Sequence, residues 1–347
     1  MTGMSWRERV EIGVTAGLVA LAGALDLGGV NAIVRFAAAA VALAMLARLV
    51  GTATEQLGGR LGAGGAGTVQ SALGNLPELF VVLFALHRGL TDVVKAALVG
   101  SVLANSLLVL GLAFVAGGLR HGTQQFHSSR ARTIGTLLLL SAATLSIPSF
   151  AHQLHAPAAA HEETLSLICG GVLIVVFLAT LRIFLAGEAG DLEPPRWSLA
   201  VTIVVLAAAA AGAVFVSDWF VSALEPATSS LGMSEAFAGL VVVAIAGNAV
   251  ENVVGVQLAM RNEADFAVSV IVNSALQVAL VLTPVILFAS LFFATNLTLV
   301  FPTLLAVVLL LAAIVTAVVV YDGESTWPEG VVLIGLYVVI AAAFWWG

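Results

Sequence analysis

Charge is what this 347-residue chain has least of. Asp, Glu, Lys and Arg together make up 10 % of it, whereas a soluble domain carries about 25 %. That shortage, beside 61 % hydrophobic residues and a mean hydropathy of +1.10, excludes an ordinary water-soluble protein and assigns the chain to lipid. Cysteine is almost absent. Cys169 stands alone in an apolar run, which excludes a disulfide framework, an Fe–S cluster and a cysteine-rich zinc site. Basic residues are scarce too: 13 Lys and Arg against 20 Asp and Glu leave a formal net charge of −7. Nucleic-acid binding has no basic footprint to rest on. Arg7, Glu8 and Arg9 precede the first apolar stretch, but no small-residue cleavage site follows it. That stretch is expected to be a membrane span and not a removed signal peptide.

A crossing takes about 20 apolar residues. Eleven runs qualify: 11–29, 31–57, 66–87, 91–117, 131–149, 164–186, 197–222, 234–260, 264–293, 298–320 and 328–346. Turn and polar signals separate them, as in Gly58-Gly59-Arg60-Leu61-Gly62 and Asp322-Gly323-Glu324-Ser325. Trp6, Trp197, Trp219, Trp327, Trp345 and Trp346 fall at or near run ends, where interfacial aromatic belts belong. With a cytoplasmic N-terminus, the inner segments hold Arg7, Arg9, Arg60, Arg120, Arg130, Arg132, Arg182, Arg196 and Arg261. The outer segments hold Arg35, Arg88 and Lys95, and Arg48 falls within the second run. Excess positive charge stays inside. The N-terminus is therefore expected in the cytoplasm and the C-terminus outside the plasma membrane.

The expected fold is an all-α polytopic membrane protein of eleven transmembrane helices. A leading helix occupies residues 1–30, a first five-helix unit 31–186, an acidic cytoplasmic hinge 187–196 and a second five-helix unit 197–347. Five crossings are an odd number, so the second unit must insert upside down, as in the inverted repeats of secondary transporters. Internal likeness supports the division. Gly74-Asn75-Leu76-Pro77-Glu78 and Gly247-Asn248-Ala249-Val250-Glu251 both read G-N-x-x-E, with glutamates 173 residues apart (251 − 78). Gly100-Ser101-Val102-Leu103-Ala104-Asn105 parallels Asn273-Ser274-Ala275-Leu276-Gln277 at nearly the same offset. Thr54-Glu55-Gln56-Leu57 resembles Ser217-Asp218-Trp219-Phe220 at an offset of 163 (218 − 55).

A carboxylate at membrane depth is costly and marks a functional site by default. Gly74, Gly247 and Pro77 should interrupt their helices, and backbone carbonyls freed at membrane depth must line a cavity or hold an ion. Asn75 and Asn248 add amide oxygens three residues before Glu78 and Glu251, on the same helix face. Two carboxylates with neutral oxygens describe a site for a hard divalent cation such as calcium. Without the cation, two close carboxylates in a poorly hydrated cavity cannot both stay ionised and take up protons as a coupled pair. The same groups then hold either a divalent ion or protons.

At these residues the chain resembles the calcium/proton antiporters of the calcium:cation antiporter superfamily, whose paired signatures have the form G-N-x-P-E-L and G-N-x-x-E-H. Here they stand as Gly74 to Leu79 and Gly247 to Asn252. The likeness extends through Thr54 to Leu57, Gly100 to Gly111, Ser234 to Leu240 and Ser274 to Pro284. It implies eleven helices, alternating access and exchange of calcium for protons on Glu78 and Glu251, without a cofactor. The chain departs from the family pattern at Asn252, at Gln70 and Ala72, and at Asn273, which leaves manganese or another divalent open as cargo.

Other polar residues have two readings. Asn75, Asn248, Asn105 and Gln277 either line the pathway or hydrogen-bond between helices. Ser101 and Ser274 are read as close-packing residues in preference to ligands. Glu55 and Asp218 either serve as cation or proton relays at opposite entrances or are ordinary interfacial carboxylates. His152, His155 and His161, with Glu162 and Glu163, read as a solvated outer loop in preference to a metal site. Glu188, Asp191 and Glu193 read as a solubilising hinge.

Three other functions compete. A sodium/calcium exchanger needs extra oxygen sites, and Val242-Val243-Ala244-Ile245-Ala246, just before Gly247, supplies none. An intramembrane metalloenzyme should carry a His/Glu constellation such as H-E-x-x-H within its spans, and the histidines lie at span ends and loops. A passive cation channel has no need of an inverted duplication.

Overall fold

The protein is described by a computed structural model covering the backbone of residues 3–187 and 195–346. Side chains are described within those ranges except at 61–72, 182–187, 250 and 251. Glu251, Gln70, Ala72 and Arg182 thus have described backbone only, and Glu188, Asp191 and Glu193 of the expected hinge lie outside the described residues.

The helices run in order as α1 (Trp6–Leu27), α2 (Ala32–Leu73), α3 (Leu76–His87), α4 (Thr91–His121), α5 (Ser128–Gln153) and α6 (Glu162–Gly187). Next come α7 (Leu199–Leu231), α8 (Glu235–Gly247), α9 (Ala249–Met260), α10 (Ala264–Ser290), α11 (Thr303–Val319) and α12 (Trp327–Trp345). A two-stranded ribbon pairs β1 (Gln124–Gln125) with β2 (Glu324–Ser325). Among the described residues eight helices are long and apolar enough to cross a membrane, or nine if the bent pair α8 and α9 is one span. Helices α3 and α11 are apolar but shorter. The length criterion therefore does not give the expected eleven.

One reason is that the expected break at Gly58 to Gly62 does not occur: α2 continues through it to Leu73. Glycine in a helix costs only about 1 kcal/mol relative to alanine and, unlike proline, removes no donor. The glycine signals weaken this helix without ending it. The third apolar run is accordingly divided between the end of α2 and the separate helix α3. Trp6, Trp327 and Trp346 are exposed, whereas Trp197 is fully buried. Arg60 donates to the Trp197 carbonyl, and Gln56 Oε1 accepts from the backbone N–H groups of Arg196 and Trp197. These contacts hold the start of α7 against α2.

The two halves repeat each other in detail. α3 and α9 each carry arginine at the C-cap, Arg88 and Arg261, followed by a left-handed residue, Gly89 (φ 77°) and Asn262 (φ 64°). In each a six-residue turn closes the helix, Leu90 N to Ala85 O (2.9 Å) and Glu263 N to Leu258 O (3.0 Å). This is the Schellman arrangement, which satisfies carbonyls that a helix end leaves open. α4 and α10 contain π-helical turns at Ala104–Val109 and Val278–Leu282, and a further one lies in α8 at Ala238–Val243.

Direction follows from the rod α4, which is about 46 Å long at 1.5 Å per residue. α3 ends beside Thr91, at one end of the rod. α9 ends at the other, where His121 Nε2 donates to Met260 O (2.9 Å) and Gln124 Nε2 to Ala259 O (2.9 Å). The two short helices therefore run to opposite ends of the bundle.

Close backbone contact holds the halves together. A Cβ on Gly100 of α4 would stand 2.3 Å from Leu240 O, and one on Gly239 of α8 would stand 2.7 Å from Val93 O. Small residues at such crossings let membrane helices approach closely. Gly100→Ala is expected to force α4 from α8 and to cost about 1–3 kcal/mol by overpacking. A lowered melting temperature of the purified protein in detergent checks this.

Candidate functional site

Both G-N-x-x-E motifs build the same local geometry. The helix stops at Gly74-Asn75 and at Asn248, and each asparagine becomes the N-cap of the next helix, with φ −94°, ψ 16° at Asn75 and φ −103°, ψ 25° at Asn248. Glu78 and Glu251 are each the third residue of that helix. Pro77 falls in the first turn of α3, where its missing N–H has no helical partner to lose. Orphan N–H groups and the helix dipole favour a carboxylate in this turn. α9 leaves the axis of α8 at 60°.

Glu78 has no exposed surface. Ser101 of α4 donates its hydroxyl to Glu78 Oε1. Asn248 reaches across from the other half: Nδ2 lies 3.1 Å from Ser101 Oγ, 2.9 Å from Ala244 O and 3.5 Å from Glu78 Oε2. Asn248 Oδ1 accepts from Asn105 Nδ2 (3.2 Å) and from Ser274 Oγ (3.5 Å), and Asn105 Nδ2 also donates to Ser274 Oγ (3.1 Å). Five side chains from both halves thus form one buried chain. Among the described residues Asn105 Oδ1 is buried without a hydrogen-bond partner. Such an oxygen at the centre of a polar cluster is an acceptor in need of a proton or a cation.

The structure brings Glu78, Asn248, Asn105, Ser101 and Ser274 together. Gln277 is buried one residue before the π-turn of α10. Asn75 is half-buried and makes no capping bond. The close-packing reading of Ser101 and Ser274 is corrected: both hydroxyls belong to the hydrogen-bonded chain. At the Asn248 break two carbonyls are occupied: Ala244 O takes the backbone and side-chain N–H of Asn248, and Ile245 O takes Asn252 Nδ2 at 3.4 Å. Sequence reasoning missed the π-turn that contains Asn105 and the one that follows Gln277. Turns of this kind recur at functional sites.

Glu55 is exposed on α2, and Asp218 is half-exposed on α7. Asp218 Oδ1 pairs with Arg88 Nη2 at 2.7 Å. Between α5 and α6, His152 pairs with Glu162, and Asn296 donates to Glu163 (2.8 Å). Among the described residues no three His, Cys, Asp or Glu side chains are grouped to hold a metal.

Gly247 is fixed by its neighbour. A Cβ there would lie 3.0 Å from the Glu78 Cβ. Gly247→Ala is expected to displace Glu78 and slow transport about ten-fold, the kinetic equivalent of about 1.4 kcal/mol. Gly171→Ala, where an added Cβ meets nothing within 4 Å, should leave the rate unchanged. Transport rates of both variants, normalised to protein in the membrane, check the pair.

Comparison with known proteins agrees with this architecture. The sodium/calcium exchanger protein family matches the chain twice, over residues 31–186 and 201–346. The chain is similar to the Ca2+/H+ antiporter ChaA of Bacillus subtilis, with 34 % identity over 325 residues covering 90 % of this chain and 92 % of that protein. It is 32 % identical over 342 residues to a Ca2+/H+ antiporter of Synechocystis, covering 89 % and 90 % of the two chains. The solved structure of native YfkE superposes with a TM-score of 0.83 at 32 % identity, over 96 % of this chain and 99 % of that one. The resemblance read from the two motifs is thereby established. This multi-pass membrane protein belongs to the sodium/calcium exchanger protein family, among its calcium/proton antiporters.

Proposed function

We propose that this protein exports calcium from the cytoplasm in exchange for protons by alternating access, with Glu78 and Glu251 binding either ion near the bilayer midplane. The observation that carries the reading is Glu78, a carboxylate with no exposed surface, surrounded by neutral oxygen and amide groups from both halves. The names of the relatives support calcium and protons as cargo. The reading requires neither a cofactor nor an enzymatic step.

Glu78 takes an O–H from Ser101 and faces the NH2 of Asn248. Asn248 turns its NH2 towards Glu78 and its oxygen towards Asn105 and Ser274. A half-turn of that amide brings Oδ1 beside Glu78, where a hard cation takes oxygen. Asn105 Oδ1 is a second oxygen, without a partner among the described residues. Glu251, third in its helix as Glu78 is in α3, supplies the second charge that neutralises a divalent ion. When calcium leaves, the paired carboxylates bind protons, because their mutual repulsion and burial disfavour two charges. Buried alanines and valines of α8 before Gly247 offer no side-chain oxygen for sodium, which supports protons as the counter-ion.

The two family matches support an inverted pair of five-helix units, with α3 and α11 as short crossings that complete eleven. The basic-residue distribution supports a cytoplasmic N-terminus and an external C-terminus, and the bacterial relatives support residence in the plasma membrane.

Proteoliposomes with a pH gradient and no sodium are expected to take up calcium. Glu78→Gln and Glu251→Gln should each reduce that uptake to the level of protein-free vesicles. Uptake that demands sodium overturns the proton reading, and wild-type exchange by either variant removes its carboxylate from the mechanism.

A further inference from the structure

Asp218 and Arg88 form an ion pair that joins the halves: Arg88 caps α3, the helix that begins at Glu78, and Asp218 lies on α7. Both residues have counterparts. Arg261 caps α9 in the same Schellman turn, 173 residues on (261 − 88), the spacing of the two motif glutamates. Glu55 on α2 corresponds to Asp218 at the 163-residue offset of the aligned Thr54 and Ser217 segments.

The counterparts stand at the other end of the bundle. Arg261 lies beside the His121 end of α4, whereas Arg88 lies beside its Thr91 end. Asp218 is 19 residues (218 − 199) beyond Leu199, about 28 Å along α7. The start of α7 is held by Gln56, next to Glu55. Glu55 and Arg261 are both exposed, and α9 packs against α2. Among the described residues Arg261 makes no ion pair, whereas Arg88 is paired.

We propose that Arg88–Asp218 and Arg261–Glu55 are alternating latches that close opposite ends of the transport pathway. The first is closed in the state described here. The second closes when the site opens towards the Arg88 end. Exposed ion pairs are weak, so exchanging one for the other keeps the two states close in energy. The inference rests on the proposed alternating access and adds the residues that bias it.

The test uses the full chain with Cys169→Ser, which leaves no native thiol. Arg88→Cys with Asp218→Cys, and separately Glu55→Cys with Arg261→Cys, are oxidised in vesicles under opposite ion gradients. A disulfide needs Cβ atoms about 3.5–4.5 Å apart, so each bond reports its own closed end. The expected result is that the two pairs cross-link under opposite gradients, that each bond stops exchange, and that reduction restores it. Arg88→Ala should lower the rate about two- to five-fold, and the charge swap Arg88→Asp with Asp218→Arg should recover most of it. The latches are overturned if Glu55→Cys/Arg261→Cys never cross-links while the other pair does, or if both bonds leave exchange unaffected. Cross-linking reads conformation whatever the ion. Normal gradient-dependent cross-linking beside a wild-type protein that moves no calcium against protons would therefore uphold the latches and overturn the proposed function.

Discussion

The structure depends on keeping one carboxylate out of water. A buried glutamate without partners would neutralise itself or unfold its surroundings, and Glu78 avoids both through donors that its own helix does not supply. Ser101 comes from the next helix and Asn248 from the other half of the chain. The halves must therefore meet where the two motifs meet. The glycines at that crossing follow: Gly247 admits the Glu78 side chain, and Gly100 and Gly239 let α4 and α8 touch along their backbones. A site formed by only one half would leave Asn105 and Ser274 as further polar groups without partners in lipid.

The paired motifs were legible in the sequence because each is a short run of residues that lipid disfavours, repeated at a fixed distance. Glu78, Asn248 and the spacing of 173 residues needed no coordinates. The alignment of Ser101 with Ser274 was equally visible, but their role was not. Serine serves close packing and hydrogen bonding alike, and only the neighbours decide. The π-turns were invisible, since an extra residue in a helical turn scarcely alters an apolar pattern in which nearly every position is hydrophobic. Gly58 to Gly62 misled in the opposite way: glycine marks turns reliably in soluble chains, whereas α2 retains its hydrogen bonds through the same residues.

The breaks at Gly74-Asn75 and Asn248 also explain why apolar length is a poor count of crossings here. An interrupted helix divides its length between two axes, and α3 is only 12 residues long. The interruption is tolerable in lipid because its polar groups turn inward onto one another, as Asn248 does onto Ala244 O.

The leading helix has a separate bearing on transport. α1 is joined to α2 at two points, Asp26 with Arg35 (3.1 Å) and Glu11 with Arg48 (2.7 Å), which are 13 residues (48 − 35), or about 20 Å, apart along α2. These contacts and the packing of α1 along α2 couple the two helices. The other faces of α1 expose Val10, Val14, Leu21 and Leu27 to lipid. Any displacement of α2 therefore drags a greasy paddle through the acyl chains, and the viscosity and thickness of the surrounding bilayer become part of the friction that the working protein overcomes.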